Sequence, residues 1–406
     1  MNQHDSATRS APRFLFLFFG FAFTILSVSV RFFKQFGIWG MLGYVLLGTA
    51  AIYLIVRHGS QRVVQRITTR QAHVLALVIA ITVAILGVIL HGLINRNALH
   101  IPGFSYGNTD IDDALIDGLN ALLRGQYPYS VRTWAGGELT PMPGALMLAL
   151  PFHLLGDIVI QNAFWLYMLF LALAYLAKDS RYAMVLWAAA LVLSPKIFEE
   201  EVAQGSDRLV NATYVALATL LLIELAKRKA GRGYLVLAGL VCGVAFSSRM
   251  NFLLLIPILM SALIRSSGWR QGIALTGTVA LGFAAVTAPF YLTSEGSFSP
   301  LHNLGKLSHA TPWLTGIGWL TPVAAALLAL WLAFRSDNAS TGIFLRNCFL
   351  VQLVLVVIET LLTLPSNNSV LTWMYVQYGY FYLPFGVLYF GSKLCHLLQS
   401  GNPKAA

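Results

Sequence analysis

Four aspartates, Asp110, Asp112, Asp113 and Asp117, fall in one short window of this sequence. A carboxylate held close to an acceptor hydroxyl can take its proton as the hydroxyl attacks, which is the work of a general base. Asn108-Thr109-Asp110 reads as a helix start, and Ile111, Leu115, Leu119 and Leu122 recur at helical spacing before Gly125 ends the pattern. Asp112 and Asp113 therefore fall in the first turn of a short amphipathic helix suited to a membrane interface. The helix dipole welcomes negative charge there, so the same residues also read as caps or a solvated face.

A second set lies in Lys196-Ile197-Phe198-Glu199-Glu200-Glu201-Val202-Ala203-Gln204-Gly205-Ser206-Asp207-Arg208. Lys196 and Arg208 suit a phosphate, Gln204 and Asp207 suit sugar hydroxyls, and the acid run suits a divalent cation. The competing reading is a solvated loop with local ion pairs. Arg249 closes the small-residue run from Ala238 to Ser248, with Asn251 just beyond it. An arginine between apolar helices is costly unless it serves a ligand or a buried partner, so it reads as a phosphate ligand or as a pair for a carboxylate. His302 and His309 flank Lys306 and read either as diphosphate or acceptor contacts or as ordinary loop residues. Trp373, Tyr375, Tyr378, Tyr380, Phe381 and Tyr382 read as an interfacial aromatic belt.

The elements that must hold these groups are apolar. Of 406 residues, 57% are hydrophobic and 11% charged, with a mean hydropathy of +0.70, whereas soluble domains carry about a quarter charged residues. About twelve apolar segments, from 14–31 to 372–392, approach the length of a bilayer crossing. The expected fold is all-α, a polytopic bundle of about 12 spans with juxtamembrane helices on its outer face. Laying Gly144 to Leu155 along the outer surface, and not through the membrane, puts most Lys and Arg on the cytoplasmic side with both termini. Three polar segments then share the outer, extracytoplasmic face of an inner or plasma membrane: 96–157, 196–208 and 294–311. Residues 1–71 read as N-terminal spans with a cytoplasmic loop, and 72–406 as the main bundle. The first apolar run lacks a small-residue cleavage site and reads as a retained span. A pI near 9.7 does not imply nucleic acid, because no basic stripe with interleaved aromatics is present. Cys242, Cys348 and Cys395 have neither metal nor disulfide spacing.

The order Asp112-Asp113, short helix, Gly125-Gln126-Tyr127-Pro128-Tyr129, Pro141-Met142-Pro143, Gln204-Gly205, then Gly239 to Arg249 with Asn251, resembles the GT-C glycosyltransferases, especially their polyprenyl-phosphate-sugar-dependent bacterial branch. The resemblance covers roughly 72–293. It implies transfer of a sugar from a polyprenyl-phosphate donor to a lipid-linked or cell-envelope glycan acceptor, with membrane lipid as the setting. It also implies an inverting attack assisted by Asp112, with Asp113 and then Asp110 as the next choices of base. Arg249, Lys196 or Arg208 would stabilise the departing phosphate, and Tyr127, Tyr129, Gln204, Asp207, His302 and His309 would line the substrate site. No cofactor is fixed by the pattern, and a divalent cation remains open. Ala114, Leu115 and Ile116 stand where the family carries an aromatic residue, and Arg249 where many relatives carry lysine. A lipid-linked glycan polymerase or ligase, and a lipid or solute transporter, are the competing classes.

Overall fold

In the computed structural model, residues 3–95, 112–133, 135–294, 298–301, 316–363 and 379–400 are described. Among them every regular element is helical, apart from one isolated bridge between Arg132 and Glu138. In order these are α1 (Gln3–Leu26), α2 (Gly37–Leu54), α3 (Ser60–Arg66), α4 (Thr69–Asn95), α5 (Asp113–Leu123), α6 (Pro143–Leu154), α7 (Val159–Ala177) and α8 (Ser180–Val192). They continue with α9 (Arg208–Lys227), α10 (Arg232–Phe246), α11 (Ile256–Ser267), α12 (Trp269–Leu292), α13 (Leu320–Arg335), α14 (Thr341–Thr363), α15 (Leu383–Gly386) and α16 (Ser392–Ser400).

Among the described residues, 8 helical runs are long and apolar enough to cross a membrane, or up to 9 if one bent pair counts as a span. This is fewer than the twelve expected, for identifiable reasons. The run Pro12–Arg66 counts once although it has 55 residues, about 80 Å of helix against a hydrocarbon core of about 30 Å. The 3-10 stretch Ser27–Phe36 and Gly37, at φ 66°, interrupt it, and Phe33 stacks on Tyr44 at 4.3 Å across the fold-back. α8 is short, and bends by 89° into a π-helical turn, Ile197–Ala203. Pro195 falls at that break, lacking an N–H and keeping Ser194 out of helical geometry. α10 is also too short for the criterion, and the last expected segment, 372–392, lies partly outside the described residues.

Side chains such as Leu47, Leu281 and Leu327 are more than half exposed, an outer surface suited to lipid and not to water. Inside, glycines let backbones touch. A Cβ on Gly239 would strike Thr278, one on Gly243 the Val279 carbonyl, and one on Gly282 the Leu240 carbonyl, so α10 and α12 cross closely. A single core takes in α1, α4, α7 to α12 and the C-terminal helices, with Phe21, Phe170, Trp187 and Phe385 fully buried. Of the expected interfacial aromatics, Trp373, Tyr375 and Tyr378 lie outside the described residues, while Tyr380, Phe381 and Tyr382 belong to this core and not to an interfacial belt. Tyr380 donates to the Lys196 carbonyl at 2.9 Å, and the Tyr382 and Ser27 hydroxyls bond at 2.6 Å. A smaller core of Leu115, Leu119, Leu139, Leu146 and Phe298 lies beneath α5 and α6 at one end of the bundle.

Candidate functional site

Among the described residues, that end gathers the buried charged side chains His91, Asp112, Glu200, Glu201 and Asp207. Asp112 occupies the N-cap position of α5, and its carbonyl accepts from Leu115 and Ile116. Its side chain makes no capping bond. Instead, Oδ2 lies 2.9 Å from Nε2 of His91, near the C-terminal end of α4. Nδ1 of the same imidazole lies 3.2 Å from Oδ2 of Asp157, whose other oxygen accepts from the first amide of α7, that of Val159, at 2.9 Å. Both ring nitrogens thus face carboxylate oxygens, an arrangement satisfied on both sides only when both nitrogens carry protons. The capping interpretation of Asp112 is replaced by a fixed carboxylate–imidazole–carboxylate chain, with Asp112 and His91 only 3% and 6% exposed.

The next shell comes from the turn before α9. Gly205 has φ 68°, and a Cβ there would come within 3.2 Å of Asp112 Cβ and 3.4 Å of His91 Nε2. The turn is tied down from behind: the Ser206 amide donates to the Glu200 carbonyl, and Asn162 donates to the Glu201 and Ser206 carbonyls. Glu201, fully buried, accepts from the Leu209 amide at 3.1 Å and helps close the N-terminus of α9. The expectation of a solvated loop over 196–208 does not hold, since Glu200, Glu201, Gln204 and Asp207 are all buried. Buried charge must be matched. Lys196 pairs with Glu199 and Glu200 at 2.9 and 3.0 Å, and Arg208 with Glu200 at 3.3 Å.

Just past Gly205, Asp207 pairs with Arg249, whose other terminal nitrogen donates to Thr140 Oγ1 at 2.9 Å. Asn211 donates to the second Asp207 oxygen at 2.9 Å and accepts from Tyr214. Arg249 is held extended between α10 and the 3-10 turn Met250–Leu255. Beside it, the start of α6 meets the end of α10. The Met142 and Gly144 amides donate to the Ser248 and Ser247 carbonyls at 3.1 and 2.8 Å, so unsatisfied donors of one helix end meet unsatisfied acceptors of another.

Tyr127 and Tyr129 take structural bonds here, to the Phe290 carbonyl at 2.9 Å and the Pro141 carbonyl at 3.1 Å. Burial pushes the Tyr129 hydroxyl well above the ordinary phenol range, with Tyr127 adding to the shift and Arg249 opposing it, so Tyr129 stays a neutral donor. Asp113 is half-buried in the first turn of α5. Asp117, farther along α5, has its carboxyl held above the usual range by burial and then by the charge of Asp112. Asp110, His302 and His309 lie outside the described residues. Among the described residues no group of three or more His, Cys, Asp or Glu is arranged to hold a metal ion.

The structure thus brings together Asp112, Gln204, Asp207, Arg208 and Arg249 through the Gly205 turn, with Lys196 at the far end of the same segment. Sequence reasoning missed His91 and Asp157. For His91 the available signal was an ionisable residue inside an otherwise apolar segment, a functional candidate by default; Asp157, at the edge of a polar segment, carried none. No protein-family model, curated protein or solved structure matches the chain.

Proposed function

We propose that this chain is an integral membrane glycosyltransferase of the GT-C type. It moves a sugar from a polyprenyl-phosphate donor to a lipid-linked or cell-envelope glycan acceptor, with the site on the outer face of the inner or plasma membrane. The observation that supports this most is the meeting of two sequence-distant elements at one turn. Gly205 rests on Asp112, and two residues later Asp207 holds Arg249. A candidate base and a candidate phosphate ligand therefore share one rigid support at a bundle end. In this reading α5 and α6 are the outer-face helices, the apolar segments make about twelve crossings, and residues 1–71 precede the catalytic bundle.

In the reaction, a carboxylate takes the acceptor's hydroxyl proton as its oxygen forms the new bond to the anomeric carbon. The bond from that carbon to the phosphate oxygen breaks, and the electron pair leaves with the lipid phosphate. Asp112 is the first choice of base, with Asp113 second. Arg249, released toward the leaving group or acting beside Asp207, offsets the phosphate's developing charge, a kind of stabilisation that fixed cations supply well in a water-poor site. Because phosphate leaves without needing a proton, one carboxylate is enough.

The test is transfer of labelled sugar from polyprenyl-phosphate-sugar in membranes carrying the wild type, Asp112→Asn or Asp113→Asn at matched expression. Loss of a general base should lower turnover by about 10²–10⁴-fold. Full activity in both variants would remove the carboxylate mechanism. Absence of transfer by the wild type with mannosyl, glucosyl, galactosyl and arabinosyl donors would reject the glycosyltransferase reading.

A further inference from the structure

At the other end of the bundle, α7 and α9 leave an open apolar groove of about 250 Å³. Ala172, Leu217, Leu220, Leu221 and Leu225 form its walls, with Tyr175 at the rim. Leu221 and Tyr175 are about half exposed, at 51% and 48%, so the groove faces outward from the bundle. At its charged end, Arg228 donates to the Tyr175 hydroxyl at 2.7 Å and lies 5.8 Å from the centroid of the same ring.

The local acid is already engaged. Glu224 accepts from Tyr175 at 3.0 Å, from Lys227 at 3.1 Å and from Thr341 at 2.6 Å. Among the described residues no carboxylate forms an ion pair with Arg228, and Lys229 and Arg232 beside it are exposed. The apolar span of α9 ends at Lys227, so this cationic cluster sits at the depth of lipid headgroups while the leucines lie at the depth of acyl chains. Basic pockets between transmembrane helices bind anionic headgroups for this reason.

We propose that the α7–α9 groove is a binding site for an anionic phospholipid, its acyl chain against the leucines and its phosphate against Arg228. Tyr175 holds the guanidinium in place and stands between it and Glu224, so among the described residues Arg228 has no direct ion pair. Neither the groove nor its residues belong to the Asp112 end, so the site stands whether or not the chain transfers sugars.

Lipid retention by the detergent-purified full chain, read by native mass spectrometry, tests this with phosphatidylglycerol and phosphatidylcholine as probes. Wild type should retain phosphatidylglycerol over phosphatidylcholine by about fivefold, the value of one well-placed cation near a headgroup. Arg228→Gln should erase most of that preference, and Arg228→Lys should keep it, which guards against a folding defect being mistaken for lost binding. Leu221→Trp, filling the groove, should lower retention of both lipids. The proposal is overturned by equal retention of the two lipids in wild type, by an unchanged preference in Arg228→Gln, or by undiminished binding in Leu221→Trp. Displacement of phosphatidylglycerol by millimolar inorganic phosphate would also overturn it, because the site would then be one for a free anion.

Discussion

Asp112 and Arg249 are each fixed by a partner that was not evident from their own neighbourhoods, and those partners set what substitution should do. Replacing His91 by Leu leaves Asp112 and Asp157 facing each other's side of an apolar group. Under the proposed chemistry, turnover should fall by about 10²-fold through misplacement of the base, with KM for the donor changing far less. A steady-state kcat and KM comparison checks this, and a change confined to KM would count against a positioning role. Asp207 is 5% exposed in its side chain and Arg249 17%, so Arg249→Met strands a buried carboxylate. Breaking such a pair costs about 3–5 kcal/mol. Thermal unfolding in detergent should show a large loss for Arg249→Met and substantial recovery in Arg249→Met with Asp207→Asn, while sugar transfer stays lost in both. Asp117 supplies the pH dependence. Burial and the Asp112 charge raise its folded-state pKa, so its favourable contribution is full below the unfolded carboxylate pKa and is lost as pH rises through the raised value. Asp117→Asn should therefore gain in relative thermal stability over wild type as pH climbs out of the ordinary carboxylate range, and a gap that narrows instead contradicts the assignment.

The elements carry a different lesson about what a sequence discloses. Apolar segments marked α4, α7, α9 and α12 because length and hydropathy are local properties of the chain. The bend after α8 was missed because Ser194-Pro195 looked like the edge of an ordinary polar loop, whereas Glu200 and Glu201 fold into the protein on a π-helical turn. His91 was hidden for a related reason: its value depends on Asp112 and Asp157, which are remote in sequence and become neighbours only when α4, α5 and α7 pack. Asp112 and Arg249 were legible as charges out of place, but their partners were not. One close approach gives the element-scale test. Gly144 has no room for a Cβ beside the Val244 carbonyl and the Ser247 backbone, so Gly144→Ala must push α6 off the end of α10. That shift disturbs the two amide bonds to Ser247 and Ser248 and moves Thr140 relative to Arg249. Thermal stability should drop by about 1–3 kcal/mol, the usual cost of overpacking, and transfer should fall with it. Gly277→Ala, inside α12 at a position open to added volume, is the matched control and should leave transfer unchanged and stability equal or raised by up to about 1 kcal/mol.

At the scale of the whole molecule, everything proposed for the Asp112 end rests on which side of the membrane it faces. The helices themselves link the two ends. α4 finishes, α9 starts and α10 finishes at the charged site, while α9 finishes and α10 starts at the basic cluster Lys227 to Arg232. If α9 crosses the membrane, these ends lie on opposite faces, and the preference of Lys and Arg for the cytoplasmic side then puts Asp112 outside. The three native cysteines are all buried, so single introduced cysteines can report sidedness with little background. Arg124 and Lys229 are exposed, the first at the end of α5 and the second just after α9. In intact cells, Arg124→Cys should react with a membrane-impermeant maleimide, and Lys229→Cys should react only after permeabilisation. Reversal of both would place the carboxylates in the cytoplasm, where an outer-face glycan acceptor is out of reach. Equal labelling of both from outside would mean that α9 does not cross, removing the shared frame on which the base and the phosphate ligand were assigned to a membrane-crossing bundle.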